Sequence, residues 1–412
     1  MDKGLSTSRW RALASTSFGH LVNDGWVTFI PLMADLIVNE NQTPLAIVTL
    51  ISVSFYSSSA LLNFYVGHLA DASGSQGKMM SMGIAIISLS YLGFDFALGH
   101  PADTLLYFAV ALFSVLAGLG SAFYHPIAGS IVQNSFSFNS RGKALGVNGA
   151  FGQVGSAAFP PIFFGIALFL TQRGALALLA VFGLAASVAI WWGLGGYRNR
   201  TTAPKGERRS LRKVLTRGIV ILTAITVVRA MANTGVSVWL PTYITFVRGE
   251  GVGSLLGYTI AAAFIGAIPG QLVFGALVER LDKRYVLGIS SAGAGLAVLG
   301  YIWTEGAVAL VFIVLFGFFS YSSFPTLLSL ASDYVPAANW TAANGFVWGF
   351  GMMGGNVLGP AITQAIIGND YARLNAAFTL LAVLGLAGAI ATPLLKKGEY
   401  ARANRETGRE TV

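Results

Sequence analysis

"NDGWVTFIP", residues 23–31, returns as "NTGVSVWLP" at 233–241, so that Asn23, Gly25 and Pro31 each reappear 210 positions later. One such match would mean little in a chain with 50 glycines, but three more follow in the same order. "GHLADASG" from Gly67 is echoed 208 positions on by "GALVERLD" from Gly275, with Glu279 answering Asp71. "GLGSAFYHP" at 118–126 is echoed 199 on by "GFFSYSSFP" at 317–325. The same interval carries Gly146, Phe151, Gly152, Gly155 and Pro161 onto Gly345, Phe350, Gly351, Gly354 and Pro360. A slowly drifting offset held over four segments is the mark of a duplicated unit. The chain is read as two copies of one structure.

Composition says what is duplicated. With 54% hydrophobic and only 10% charged residues among 412, the chain is too apolar for an ordinary soluble domain. About twenty apolar residues cross the ~30 Å of bilayer hydrocarbon. Twelve runs of sufficient length occur, at 11–38, 45–67, 79–98, 104–133, 144–171, 174–196, 217–246, 253–278, 285–303, 306–332, 341–367 and 373–395. The predicted fold is therefore an all-α membrane protein of twelve transmembrane helices in two pseudo-symmetric six-helix bundles. Residues 1–196 form the first bundle, the basic stretch 197–217 is a cytoplasmic linker, and 218–412 form the second bundle with a tail. "MDKGLSTSRWR" at 1–11 leads into a long apolar run with no short core and cleavage site of a signal peptide, so the first span is expected to stay.

Charge fixes the orientation. With the first end in the cytoplasm, all but Arg173, Arg229, Arg248 and Arg373 of the 26 Lys and Arg residues fall on cytoplasmic segments. By the positive-inside rule both termini are cytoplasmic, in the cell membrane. The net charge of +9 is then a topology signal, and no nucleic-acid partner is expected. No cysteine is present, which removes disulfides and thiolate chemistry. The four histidines, His20, His68, His100 and His125, are scattered over distant segments, with neither metal spacing nor a catalytic set, so no enzyme, metal or cofactor is expected.

A few ionisable groups interrupt the apolar spans. Asp24 lies midway along the first span, with His20 one turn away on the same face. His125 sits in the fourth span beside Pro126, and Arg229 lies near the middle of the seventh. Asp or Arg at such depth costs about 2.5–3.5 kcal/mol on insertion scales, and such groups commonly mark a substrate or proton path. Asp24 reads either as a proton carrier or as fixed glue, paired with Arg229 or held by Asn23 and His20. His20 and His125 read as proton relays or as hydrogen-bonded supports, and Arg229 as neutralising Asp24 or clamping an anionic substrate. Asn23, Asn233, Gln153 and Asn356 could bind substrate or cross-link helices. Tyr124, Trp239, Trp348 and Phe350 could wall a cavity or simply pack.

"GHLADASGSQGK" after the second span, its echo "GALVERLDKR", and the fifth-span "RGKALGVNGAFGQVGSAAFPP" resemble signatures of the major facilitator superfamily over essentially the whole chain. "GHLVNDGW", "GSAFYHPIAG" and the fifth-span pattern are most similar to its fosmidomycin-resistance branch of proton-coupled efflux proteins. The resemblance implies alternating access between two bundles around a midplane site lined by spans one, four, seven and ten. It also implies proton-coupled antiport of a small solute by a monomer in the lipid bilayer, with proton-coupled uptake of an organic anion as the alternative. A gate is expected at the cytoplasmic loops, from Asp71, Lys78, Arg141, Glu279 and Arg280. Two positions depart from the pattern: Ala72 stands where an Arg usually follows the loop Asp, and Ile127 where an acid follows the His-Pro. Asp24 is then the one carboxylate placed deep in a cavity helix.

Overall fold

The computed structural model describes residues 8–73, 75–136, 138–197, 214–335, 343 and 346–398, and every regular element among them is helical. In chain order these are α1 (Arg9–Asn41), α2 (Ala46–Ser73), α3 (Gln76–Ala97), α4 (Thr104–Ala122), α5 (Tyr124–Ser135), α6 (Phe138–Ala167) and α7 (Gln172–Leu194). They continue with α8 (Arg217–Thr242), α9 (Ser254–Arg280), α10 (Lys283–Trp303), α11 (Gly306–Ser320), α12 (Phe324–Asp333), α13 (Gly354–Ile367) and α14 (Leu374–Ile390). Eleven stretches among the described residues are long and apolar enough to cross a membrane. The span expected at 341–367 is described as a π-helical segment, Val347–Met353, running into α13. A second π turn, Tyr243–Val247, continues α8 just beyond Pro241.

Contacts divide the chain into two units. The first is Met1–Ala203 with Leu240–Ala261, and the second is Pro204–Trp239 with Ala262–Val412. The repeat-based cut at 197–217 follows chain order, whereas the contacts assign residues 240–261 to the first unit.

In the first unit α1 is the central element. Ser8 caps its start by accepting from the Arg11 backbone N–H at 3.2 Å. Its 33 residues span roughly 50 Å at ~1.5 Å per residue. Helix α6 lies against it at closest approach where a Cβ on Gly155 would strike the Leu21 carbonyl oxygen. Small residues at such crossings let membrane helices pack backbone to backbone. Next to this crossing Trp26 is fully buried, stacks on Tyr91 with centroids 4.0 Å apart, and donates its indole N–H to Ser88 Oγ at 3.1 Å. Phe29 and Phe159 meet Trp26 edge-on.

The fourth and tenth spans break at corresponding points. Helix α4 stops at Ala122 and α5 begins at Tyr124, while α11 stops at Ser320 and α12 begins at Phe324 after a 3₁₀ turn, Tyr321–Ser323. Pro126 and Pro325 fall in the first turns that follow. Pro126 has no N–H for the Ala122 carbonyl, and in the tenth span the 3₁₀ turn ends the ladder, so carbonyls at the end of the preceding helix lose their α-helical partners. The second unit uses these carbonyls, as described below.

At the start of α10, Asp282 caps the helix by accepting from the Arg284 N–H at 3.0 Å. The Arg284 guanidinium lies 2.6 Å from the same carboxylate and reaches the Leu395 carbonyl oxygen at 2.8 Å. Those hydrogen bonds hold the Asp282 carboxyl below the usual carboxylate range. Lys283 pairs with Asp333 at 2.6 Å, joining α10 to the end of α12.

Candidate functional site

On α1, the i, i+4 spacing brings His20 Nε2 within 3.1 Å of Asp24 Oδ2. The other ring nitrogen, Nδ1, lies 2.8 Å from the backbone oxygen of Asn148 on α6. A carbonyl oxygen can only accept, so Nδ1 carries the hydrogen of that bond. A neutral ring would then turn a lone pair toward Asp24. At 3.1 Å the contact with a carboxylate oxygen requires a proton between them, on imidazolium or on carboxyl. The pair therefore holds one exchangeable proton in this arrangement.

The surroundings fix that pair. Asn23 Nδ2 donates to Asp24 Oδ1 at 2.9 Å. The backbone carbonyl of Asp24 accepts from Thr28 at 2.9 Å and from Ser156 of α6 at 3.2 Å. Gly152 of α6 passes directly over the pair, where a Cβ would stand 2.6 Å from both Asp24 Oδ2 and His20 Nε2. Tyr124 is buried beside His20, ring centroids 4.8 Å apart, and donates its hydroxyl to the Thr16 carbonyl oxygen at 2.9 Å.

The broken fourth span delivers the third group. His125, in the first turn of α5, places Nε2 3.8 Å from Asp24 Oδ1, and its ring meets that of His20 edge-on at 5.4 Å. Side-chain exposure rises from 13% at His20 and 17% at Asp24 to 46% at His125. His125 is thus the most exposed of the three, and Asp24 stands between it and His20. Histidines that are far apart in the sequence are brought together by the fold. The ligand atoms of His20, Asp24 and His125 lie within 4.8 Å of one another, close enough for a cation. With Nδ1 bonded to Asn148 and Nε2 at hydrogen-bond distance from Asp24, a shared proton suits this geometry without rearrangement.

Arg229 makes its hydrogen bonds at the break of the tenth span. No carboxylate lies within ion-pair distance of it among the described residues, and all its partners belong to the second unit. Its Nε donates to Ser291 Oγ at 3.1 Å, and Nη2 to the carbonyl oxygens of Phe319 at 3.1 Å and Ser320 at 2.9 Å. A guanidinium thus caps the C-terminal end of α11, where the break leaves carbonyls open and the helix dipole is negative. The remaining nitrogen, Nη1, is buried without a hydrogen-bond partner among the described residues.

The other expected binding residues have structural contacts. Asn233 donates to Ser320 O at 3.4 Å, Asn356 accepts from Thr234 at 2.6 Å, and Trp239 is buried with its indole donating to Pro360 O at 3.3 Å. Tyr124 and Trp239 pack here as core side chains. Gln153 keeps a buried Oε1 with no partner among the described residues, and Trp348 is half-buried in its π-helical segment. Of the expected gate, Lys78 and Arg280 are exposed, while the side chains of Asp71, Arg141 and Glu279 lie outside the described residues.

Asn148 escaped the sequence reading because nothing in an Asn on a Gly-rich helix announces that its backbone oxygen orients a distant ring. Asp35 escaped it as well. It lies on α1 with no exposed surface, a second deep carboxylate where Asp24 was expected to be alone. Counting acids across all of 11–38, rather than stopping at the apolar centre, would have found it.

A sequence model of the Major Facilitator Superfamily matches residues 17–347 and 253–411. The chain is 22% identical over 395 residues to the fosmidomycin resistance protein of Escherichia coli K12, covering 91% of this chain and 90% of that protein. Its fold is similar to that of a bacterial homolog of the human lysosomal transporter Spinster in an inward-facing, occupied conformation. The TM-score is 0.74 at 15% identity, over 95% of this chain and 97% of the other. The fucose:proton symporter of E. coli is similar with a TM-score of 0.61 at 16% identity, over 95% of this chain and all of the other (100%).

Proposed function

The chain belongs to the Major Facilitator Superfamily and is a multi-pass membrane transporter of a small-molecule solute, and from that premise we propose that it exports a small organic compound in exchange for protons. The carrying observation is the proton that His20 and Asp24 must share once Nδ1 of the ring is bonded to a carbonyl oxygen. His125 admits protons from water, Asp24 binds them, and His20 holds them while Asn148 fixes its ring. Residues 1–196 and 218–412 are the moving bodies, acting as a monomer in the cell membrane with both termini in the cytoplasm. Their alternation exposes Asp24 to each side in turn. Likeness to a protein named for fosmidomycin resistance supports export over uptake. It also makes fosmidomycin the first solute to test.

The test is solute flux in proteoliposomes under an imposed pH gradient. Antiport drives solute against the proton. Asp24→Asn should abolish that drive while leaving a folded protein that still exchanges solute down its own gradient. Unchanged pH-driven flux in Asp24→Asn would rule out the carrier, and solute moving with the proton would establish uptake of an organic anion instead.

A further inference from the structure

The internal repeat pairs Asp35 with Thr245, 210 positions on, as it pairs Pro31 with Pro241. In the structure these two mates touch. The Thr245 hydroxyl donates to Asp35 Oδ2 at 2.7 Å. Thr245 belongs to the π turn that continues α8, and by contacts this turn lies in the first unit although the body of α8 lies in the second. The contact therefore fastens the continuation of α8 to α1, eleven residues along α1 from Asp24.

The chemistry of Asp35 is unlike that of Asp24. It is fully buried, its other oxygen, Oδ1, meets no donor, and no cation pairs with it among the described residues. On its own helix Glu40 takes the side-chain N–H of Gln172. On α7, Arg173 pairs with Asp95 of α3. On the partner segment Arg248 lies over the Tyr243 ring at 5.6 Å and beside Glu250. Tyr258 of α9 is largely exposed. Neither α6 over 157–167 nor α2 over 46–55 carries an ionisable residue. An ionised carboxylate here would have no cation to compensate its charge, which is strongly unfavourable in a protein interior. A neutral carboxylic acid removes that charge and keeps a hydrogen bond available to Oδ1. Its Oδ1–H becomes a donor, and the neighbouring Thr242 hydroxyl oxygen, also without a hydrogen bond, can accept it.

We propose that Asp35 is a second proton-binding site, a neutral acid that latches α1 to the Thr242–Thr245 turn and ionises when that contact opens to water. This goes beyond the exchange assigned to Asp24 and does not depend on it. Closing the latch takes up one proton from water, and opening it returns that proton.

Infrared difference spectroscopy of the full-length protein in lipid near neutral pH reads this directly, because a protonated carboxyl shows a C=O stretch that a carboxylate lacks. The band should be present in the unaltered protein, lost in Asp35→Asn and retained in Asp24→Asn. That last sample separates failure of this proposal from failure of the Asp24 assignment. Thr245→Val, which removes the hydroxyl donated to the carbonyl oxygen, should shift the band, and it serves if Asp35→Asn does not fold. A spectrum that neither variant changes would overturn the proposal. The absence of native cysteines allows a second readout through Val38→Cys, a buried position beside the latch. Raising the pH should speed its thiol labelling several-fold more with Asp35 present than in the Asp35→Asn background. Equal pH dependence in the two backgrounds would show that the contact does not open by ionisation.

Discussion

Gly152→Ala tests the site through its packing alone. The added methyl would stand 2.6 Å from Asp24 Oδ2, His20 Cδ2 and His20 Nε2, against 3.4 Å for ordinary contact. The pair must yield by about 0.8 Å, and a His20–Asp24 contact of 3.1 Å stretched by that amount leaves hydrogen-bond range. Losing a charge-assisted hydrogen bond costs about 1.5–3 kcal/mol, and replacing a helical glycine by alanine returns about 0.5–1 kcal/mol. The net of about 1.5 kcal/mol against the proton-loaded state corresponds to a roughly tenfold loss of coupled flux. Gly149→Ala, one turn earlier on α6, is the matched control, because a Cβ there meets nothing within 4 Å. Both variants would be measured as pH-driven fosmidomycin flux per folded transporter, with thermal unfolding recorded in parallel. Equal flux from the two alanine variants would mean that the His20–Asp24 distance does not govern coupling.

Arg229→Ala should uncap α11 and lower the thermal midpoint, since hydrogen bonds to a charged donor are worth about 1.5–3 kcal/mol each, and Arg229→Lys should restore little because one ammonium cannot span Ser291 and the Phe319 and Ser320 carbonyls. A midpoint unaffected by Arg229→Ala, with loss confined to anionic solutes, would instead assign the guanidinium to substrate. Asp282, held below the usual carboxylate range by Arg284, contributes stability that is complete above its unfolded value of about 4 and is lost as pH falls through its lower folded value. Asp282→Asn should therefore flatten the acid side of the midpoint-against-pH curve, and an unchanged acid limb would show that this pair contributes nothing there.

His20 and Asp24 were legible together because helical periodicity alone stacks residues four apart. His125 was legible only as an ionisable residue in a span, since its approach to Asp24 depends on the break at Ala122–Tyr124 and on how α5 then packs. Arg229 shows the limit of reasoning from charge. Its charge suggested a carboxylate or an anionic substrate as partner, but within the second unit the carbonyls at the end of α11 take its hydrogen bonds, and no side-chain inventory reveals them. Asp35 and Thr245 are repeat mates in the sequence, yet only the packing of the turn after α8 makes them partners.

The sequence by itself determined a membrane-embedded, duplicated, helical chain and its expected orientation. Each of those follows from local sums: apolar length against bilayer thickness, cation placement, and recurrence at a slowly drifting interval. Tertiary structure decided which polar groups meet. A buried hydrogen bond depends on tenths of an ångström between helices remote in the chain, and Gly152 and Gly155 permit that approach without specifying what will lie across it.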